Sequence, residues 1–268
     1  MTVRSVEKRK NLRILVIGDV TSPDGVRHLS ENLWRIRREE KIDFTVVNGE
    51  NAGFVTGISA ELADELLKGG ADAITGGNHT LQNKAAYTAL EERRELLRPI
   101  NFGEAAVGHG YAILDASGYR VLVINAMGNI HIEPTLDNPY KYIDGVLSEC
   151  EGKYDFSVLD IHAEATGEKL AIAYAYDGKI NVIFGTHTHV QTADEKILPN
   201  GTGYITDVGM CGESEGIIGM DPESVILRMK TRMPLKFKAA AGRVVANGVI
   251  FTLDAKSRRV SDVRSISF

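Results

Sequence analysis

The sequence predicts an α/β fold whose functional residues gather along one sheet edge. Three observations carry this prediction. Short apolar, β-rich runs alternate with segments of helical periodicity along the chain. Several of those runs end in a glycine followed closely by Asp, Glu, Asn or His, and ligands in open α/β sheets collect at the carboxyl ends of strands. The composition, 43% hydrophobic and 25% charged over 268 residues, is that of an ordinary globular chain long enough for a large core.

Residues 1–11 are basic and lack the apolar stretch of a signal peptide, so they read as a flexible arm, with 12–268 as a single domain. Leu12 to Ile17 reads as the first strand and runs into Gly18-Asp19; taken alone, Asp19 reads as a helix N-cap or turn aspartate before it reads as a ligand. A helix follows, with Val26, Leu29, Leu33 and Ile36 at helical spacing. Phe44 to Val47 is the second strand and ends in Asn48-Gly49-Glu50-Asn51-Ala52-Gly53. Glu50 can bridge two cations with its two oxygens, and the glycines let the backbone turn around it; a plain polar turn is the other reading. Ser59 opens a helix that Gly69-Gly70 stops. Ala71 to Thr75 is a third strand, delivering Gly76-Gly77-Asn78-His79. Lys84 to Leu97 reads as helix, closed by Pro99.

Tyr111 to Leu114 and Arg120 to Ile124 flank Ser117-Gly118 as a hairpin, and Asp137 to Glu149 reads as helix. Phe156 to Ile161 is a strand delivering His162, and Gly167 to Tyr176 is a helix. The apolar run from Ile180 to Phe184 is broken by Gly185 and followed by Thr186-His187-Thr188-His189. In an extended segment, residues two apart point the same way, so both imidazoles would reach one point. Neutral imidazole is the commonest metal ligand in proteins. After that come a strand over Gly203 to Thr206, a glycine loop from Asp207 to Gly212, a helix over Pro222 to Arg232, and two β-patterned runs, Arg243 to Leu253 and Arg259 to Phe268.

Collected, the strand-end residues are Asp19, Glu50, Asn51, Asn78, His79, His162, His187 and His189. Mixed nitrogen and oxygen ligands without thiolate suit Fe, Mn or Zn. They are too many for one tetrahedral ion and suit a pair sharing a carboxylate, roughly 3.5–4 Å apart. Such a pair lowers the pKa of water from about 15.7 towards 7 and clamps phosphoryl oxygens for in-line attack. The formal net charge of −5 gives no broad attraction to polyanions, so stable duplex nucleic-acid binding is not expected. No apolar run approaches the roughly 18 residues of a membrane span. The two cysteines, Cys150 and Cys211, stand far apart in no metal or redox pattern and read as free thiols of a reducing compartment.

The order Gly-Asp, Gly-Glu-Asn, Gly-Asn-His, His-Ala-Glu, Gly-Thr-His-Thr-His resembles the calcineurin-like metallophosphoesterases, and more closely the YmdB-like bacterial cyclic-nucleotide phosphodiesterases. The likeness runs over about residues 12–268 and is most specific at Val47 to Ala52, Asp160 to Thr166, Gly185 to Glu195 and Thr202 to Met210. It implies a metallophosphoesterase-like sandwich of two mixed β-sheets flanked by helices. It implies that Asp19, Glu50, Asn51 and His189 hold one metal and Glu50, Asn78, His162 and His187 the other. Iron or manganese, as two divalent or trivalent ions, would be the cofactors. His79 would be the general acid while hydroxide on the metals attacks a 2′,3′-cyclic nucleotide such as 2′,3′-cAMP. The resemblance further implies a cytoplasmic homo-oligomer. A phosphomonoesterase on the same scaffold, or a regulatory nucleotide-binding module with weak turnover, are the alternative functions.

Three stretches depart from the family pattern. The loop from Gly18 to Arg27 is one residue longer than usual. Thr80-Leu81-Gln82 stands where a tryptophan-aspartate pair is usual, which puts Gln82 in the place of the acid. Cys211-Gly212-Glu213-Ser214 replaces a more usual Thr-Gly-Pro-Tyr. All three bear on substrate contacts more than on the metals.

Overall fold

Two β-sheets lie face to face, and the apolar alternation of their strands decides which side meets which partner. The computed structural model describes residues 10–54 and 57–268. In chain order the elements are β1 (Asn11–Ile17), β2 (Asp19–Val20), α1 (Pro23–Glu39), β3 (Phe44–Asn48), α2 (Ala60–Gly69), β4 (Ala73–Thr75), α3 (Tyr87–Glu92), β5 (Tyr111–Ala116) and β6 (Tyr119–Met127). There follow α4 (Pro139–Glu149), β7 (Phe156–His162), α5 (Thr166–Ala175), β8 (Val182–Thr186), β9 (Lys196–Ile197), β10 (Gly203–Ile205), β11 (Met210–Glu213), α6 (Pro222–Thr231), β12 (Val244–Asp254) and β13 (Arg259–Ser267).

The first sheet has seven strands in the order β2-β11-β12-β1-β3-β4, with β13 added beside β12. The second has six, in the order β5-β6-β7-β8-β10-β9. Both are mixed. β1, β3 and β4 run parallel, as do β6, β7, β8 and β10, while β12 and β5 pair antiparallel with their neighbours. Along β1, Ile14 and Val16 join the core between the sheets, packed with residues such as Phe44, Val123, Val158 and Phe184. Their neighbours Leu15 and Ile17 face the other way, into a core closed by α1 and α2. Leu159 and Ile161 of β7 do the same on the far side, under α4 and α5. Strands buried on both faces are what a parallel sheet covered by helices requires. The sandwich of two mixed sheets flanked by helices is thus the observed architecture.

Helix boundaries follow local chemistry. Ser22 caps α1 by accepting from the Gly25 N–H, with Pro23 at the first helical position, and Ser59 caps α2 by accepting from the Leu62 N–H. Gly70 ends α2 in the left-handed region, φ 118°. Among the described residues no helix is long and apolar enough to cross a membrane.

The structure corrects three expectations. The helix expected over Lys84 to Leu97 is only a 3₁₀ turn and the six residues of α3. Arg93 leaves the helix in extended conformation, and the chain then pairs with the edge of β4, Glu95 accepting from Ile74 N–H (2.7 Å) and Leu97 N–H donating to Ile74 (2.8 Å). Open strand-edge groups outcompete helical propensity there. Gly185 does not break β8 but lies inside it, where a Cβ would collide with the Thr206 carbonyl oxygen. The glycine loop expected to Gly212 becomes strand from Met210, because β11 fills the gap between β2 and β12. Residues 1–9 of the expected basic arm lie outside the described residues, and β1 begins at Asn11, one residue inside it.

Candidate metal centre

The parallel strands of both sheets bring their carboxyl ends to a common place. Asp19 lies in β2, Glu50 and Asn51 follow β3, Asn78 and His79 follow β4, His162 ends β7, and His187 and His189 follow β8. Asp19 and His162 are fully buried, and Glu50, Asn51 and His189 nearly so. His162 Nε2 lies 3.0 Å from Asn78 Oδ1, 3.1 Å from His187 Nδ1 and 3.4 Å from Glu50 Oε1. Asp19 Oδ1 is 3.6 Å from His162 Nδ1, and its other oxygen accepts from the His187 backbone N–H (3.0 Å). Asn51 Nδ2 donates to Glu50 Oε1 (2.8 Å) and sits 3.3 Å from His189 Nε2. All seven expected ligand residues are therefore linked in one cluster.

The two histidines after β8 do not converge on one point as expected. His187 and His189 have φ of 100° and 65°, in the left-handed region, so the segment is not extended and the alternation rule does not apply. His187 turns Nδ1 to His162 and Glu50, while His189 turns Nε2 to Asn51. Each has its other nitrogen occupied: Glu164 Oε2 lies 3.1 Å from His187 Nε2, and the Ile218 carbonyl accepts from His189 Nδ1 (3.2 Å). Such outer partners fix which imidazole nitrogen carries a lone pair towards the site.

Do these residues fit a metal? Asp19 Oδ1 and Asn51 Oδ1 are buried and have no hydrogen-bond partner among the described residues. Buried unsatisfied acceptors are costly, and a cation accounts for them. Ligand atoms of Glu50, His162 and His187 lie within 4.8 Å of one another, and a thiolate-free N/O set suits a transition metal. The residues fit.

The electrostatics agree. Burial first, then the charge of His162, hold His187 down to about 3, so its ring is neutral and able to ligate at neutral pH. Burial works against ionised Glu50, but the charge and hydrogen bond of His162, with His79, outweigh it and keep the carboxyl down to about 2. Burial also opposes a charged His162, yet Glu50, Asp19 and Asp160 lift it to about 9. Asp19 is raised, mainly by burial.

His79 behaves differently. Its backbone N–H donates to Glu50 Oε2 (3.0 Å), while its ring turns aside and gives Nδ1–H to Gln82 Oε1 (3.0 Å). Gln82 thus offers a neutral acceptor to the ring.

Sequence reasoning missed the supports behind the cluster. His162 Nδ1–H donates to Thr186 Oγ1 (3.0 Å), which donates to Asp160 Oδ1 (2.8 Å); Asn48 Nδ2 donates to the other Asp160 oxygen (2.9 Å). Burial raises Asp160 to about 6 against the hydrogen bonds it accepts. Its signal was available, since Asp160 and His162 are two apart on one strand. Lys169, fully buried in α5, places Nζ 2.7 Å from Asp207 Oδ2. That same oxygen accepts from Thr188 N–H (3.1 Å) and Oγ1 (2.8 Å), pinning the residue between the two histidines. The only hint was a lysine at the start of the apolar helix series that continues with Ile172 and Ala173.

Comparison with known proteins places the chain in a family. A Bacillus subtilis protein named 2′,3′-cyclic-nucleotide 2′-phosphodiesterase is 40% identical over 255 residues, 95% of this chain and 96% of its own length. The crystal structure of a hypothetical protein from Thermus thermophilus superposes with TM-score 0.88 at 35% identity, covering 96% of this chain and 99% of that one. A crystal structure described as a novel phosphatase from Mycoplasma pneumoniae also gives TM-score 0.88, at 30% identity over 96% of this chain and 93% of that one. The fold is the metallophosphoesterase-like sandwich. With residues 15–266 matching the family model for YmdB-like protein, the chain belongs to the YmdB-like family.

Proposed function

We propose that this protein is a metal-dependent phosphodiesterase that opens 2′,3′-cyclic nucleotides. The observation that carries this reading is the buried cluster itself, in which Asp19 Oδ1 and Asn51 Oδ1 have no hydrogen-bond partner among the described residues. The name of the Bacillus subtilis relative supports the substrate. Asp19, Glu50, Asn51 and His189 would hold one ion, and Glu50, Asn78, His162 and His187 the other, with iron or manganese as the metals. Such ions supply Lewis acidity, acidifying coordinated water and drawing charge from phosphoryl oxygens.

The chain's own residues do the rest. Glu50 is positioned to serve both sides of the cluster, one oxygen facing Asn51 and His162 and the other the His79 N–H. His79 acts as general acid: with Nδ1–H tied to Gln82 and Nε2 accepting from Asn78 Nδ2 (3.3 Å), Nε2 must exchange the Asn78 contact for the moving proton. Water adds to phosphorus and gives a proton up to solvent, the bond from phosphorus to one ribose oxygen breaks, and that oxygen takes a proton from His79 Nε2, which solvent then restores. The product is a nucleoside monophosphate. The working protein is a cytoplasmic homo-oligomer with a small cyclic nucleotide as its partner and no stable duplex nucleic acid.

The Mycoplasma pneumoniae structure, described as a phosphatase, favours a second reading, monoester hydrolysis on the same scaffold. Turnover of 2′,3′-cAMP against 3′-AMP, with Mn²⁺ or Fe²⁺ added, separates the two. Cyclic-nucleotide turnover exceeding monoester turnover is the expected result; the reverse order would replace the first reading with the second.

A further inference from the structure

The turn at Ile217–Met220 carries a residue that local chemistry does not favour. Ile217 and Met220 exchange backbone hydrogen bonds (2.8 and 2.9 Å), leaving Ile218 and Gly219 as a two-residue loop. Their φ values are 48° and 88°. Positive φ at both centres is the pattern of a type I′ turn, where Asn-Gly or Asp-Gly is ordinary. A β-branched residue there is a backbone outlier. An exposed isoleucine alone needs no explanation, but one held against its conformational preference beside a cluster of buried histidines and carboxylates does.

The turn adjoins the cluster directly. The Ile218 carbonyl accepts from His189 Nδ1 (3.2 Å), and a Cβ on Gly219 would stand 3.0 Å from Thr21 Oγ1, two residues beyond Asp19. The Ile218 side chain belongs to none of the core clusters and stays 46% exposed. Val190, next to His189, is 59% exposed. Two exposed branched aliphatic residues are thus tied to His189, one through its backbone carbonyl and the other as its neighbour in the chain. A cyclic nucleotide presents both surfaces this needs: a phosphate for the cluster and a flat, weakly polar base beside it.

We propose that Ile218 and Val190 form the apolar ledge that receives the nucleobase, making them specificity-determining residues; this rests on the phosphodiesterase reading above. The carbonyl of Ile218 holds His189 whatever the side chain, so the side chain is free to be selected for the base.

The test compares 2′,3′-cAMP with a base-free analogue, methyl ribofuranoside 2′,3′-cyclic phosphate, in wild type, Ile218→Asn and Val190→Ser. For both variants the ratio of kcat/KM between the two substrates should fall by roughly tenfold, mostly through KM for 2′,3′-cAMP. Asparagine suits the left-handed position, so Ile218→Asn should also raise Tm by about 2–4 °C, separating loss of the ledge from loss of structure. An unchanged ratio, with both substrates slowed equally, would overturn the ledge while leaving the phosphodiesterase reading intact. Wild-type protein turning over neither substrate would overturn both.

Discussion

At the scale of single residues, His79 and Glu50 make opposite predictions. His79 reaches Glu50 through its backbone N–H, and its ring lies between Gln82 at Nδ1 and the Asn78 amide nitrogen at Nε2, with Asn78 Oδ1 left to face His162. His79→Ala should therefore keep its metal content and fold while kcat falls by roughly 10²-fold or more, the usual worth of a general acid. A nitrophenyl ester, whose leaving oxygen needs the proton less, should be slowed less. Equal slowing of both substrates, or loss of metal, would remove the acid role. Glu50→Gln should lower the occupancy of both metal positions, whereas His189→Ala, which faces Asn51 and not His162, should empty mainly one. Metal analysis after purification without chelator reads both; a wild-type stoichiometry of one ion per chain would end the two-metal reading. The residues of the cluster were legible in the sequence because metal ligands must be of a few chemical types at strand ends. Glu164 and the Ile218 carbonyl were not, because a backbone oxygen carries no sequence signature and Glu164 resembles any half-exposed acid.

At the scale of elements, the loop after β8 is a strained piece held by its surroundings. His187 and His189 take left-handed backbone at a cost of order 1–3 kcal/mol each, and Asp207 fixes Thr188 between them. Lys169 neutralises that buried carboxylate from α5. Removing one partner of a buried pair leaves an uncompensated charge, so Lys169→Met should destabilise by about 3–5 kcal/mol in urea unfolding and weaken metal binding. Lys169→Arg should recover part of each. If Lys169→Met lowers stability but leaves metal affinity untouched, the pair supports the fold and not the loop. Strand and helix identities were largely readable from the two periodicities. The failures share one cause: Leu96, Leu97 and Met210 become extended because an unsatisfied strand edge lies beside them, and a partner distant in sequence is invisible to a local pattern.

At the scale of the whole molecule, titration and metal loading are coupled through the cluster. In chelator-stripped protein His162, lifted to about 9, carries a proton at pH 7.5, whereas Glu50, near 2, is already ionised and His187, near 3, is already neutral. A metal takes only the unprotonated imidazole, so loading must expel a proton, chiefly from His162, and apparent affinity should rise with pH up to about 9. Calorimetry in two buffers of different ionisation enthalpy measures this; proton uptake on Mn²⁺ binding would contradict it. The two-sheet architecture was legible through the family likeness and not from composition, since nothing in a strand's own residues says which sheet it joins. The cluster draws on strands of both sheets, with Asp19 and His187 in direct contact across 168 positions of chain. No single strand or hairpin contains it, since its residues run from Asp19 to His189, so assembling it costs the closure of long loops, and ions held there would act as a clasp between the two layers. Bound cation should therefore slow amide hydrogen exchange in β3 and β7 together rather than in the ligand loops alone, and its withdrawal should release both layers as one cooperative unit.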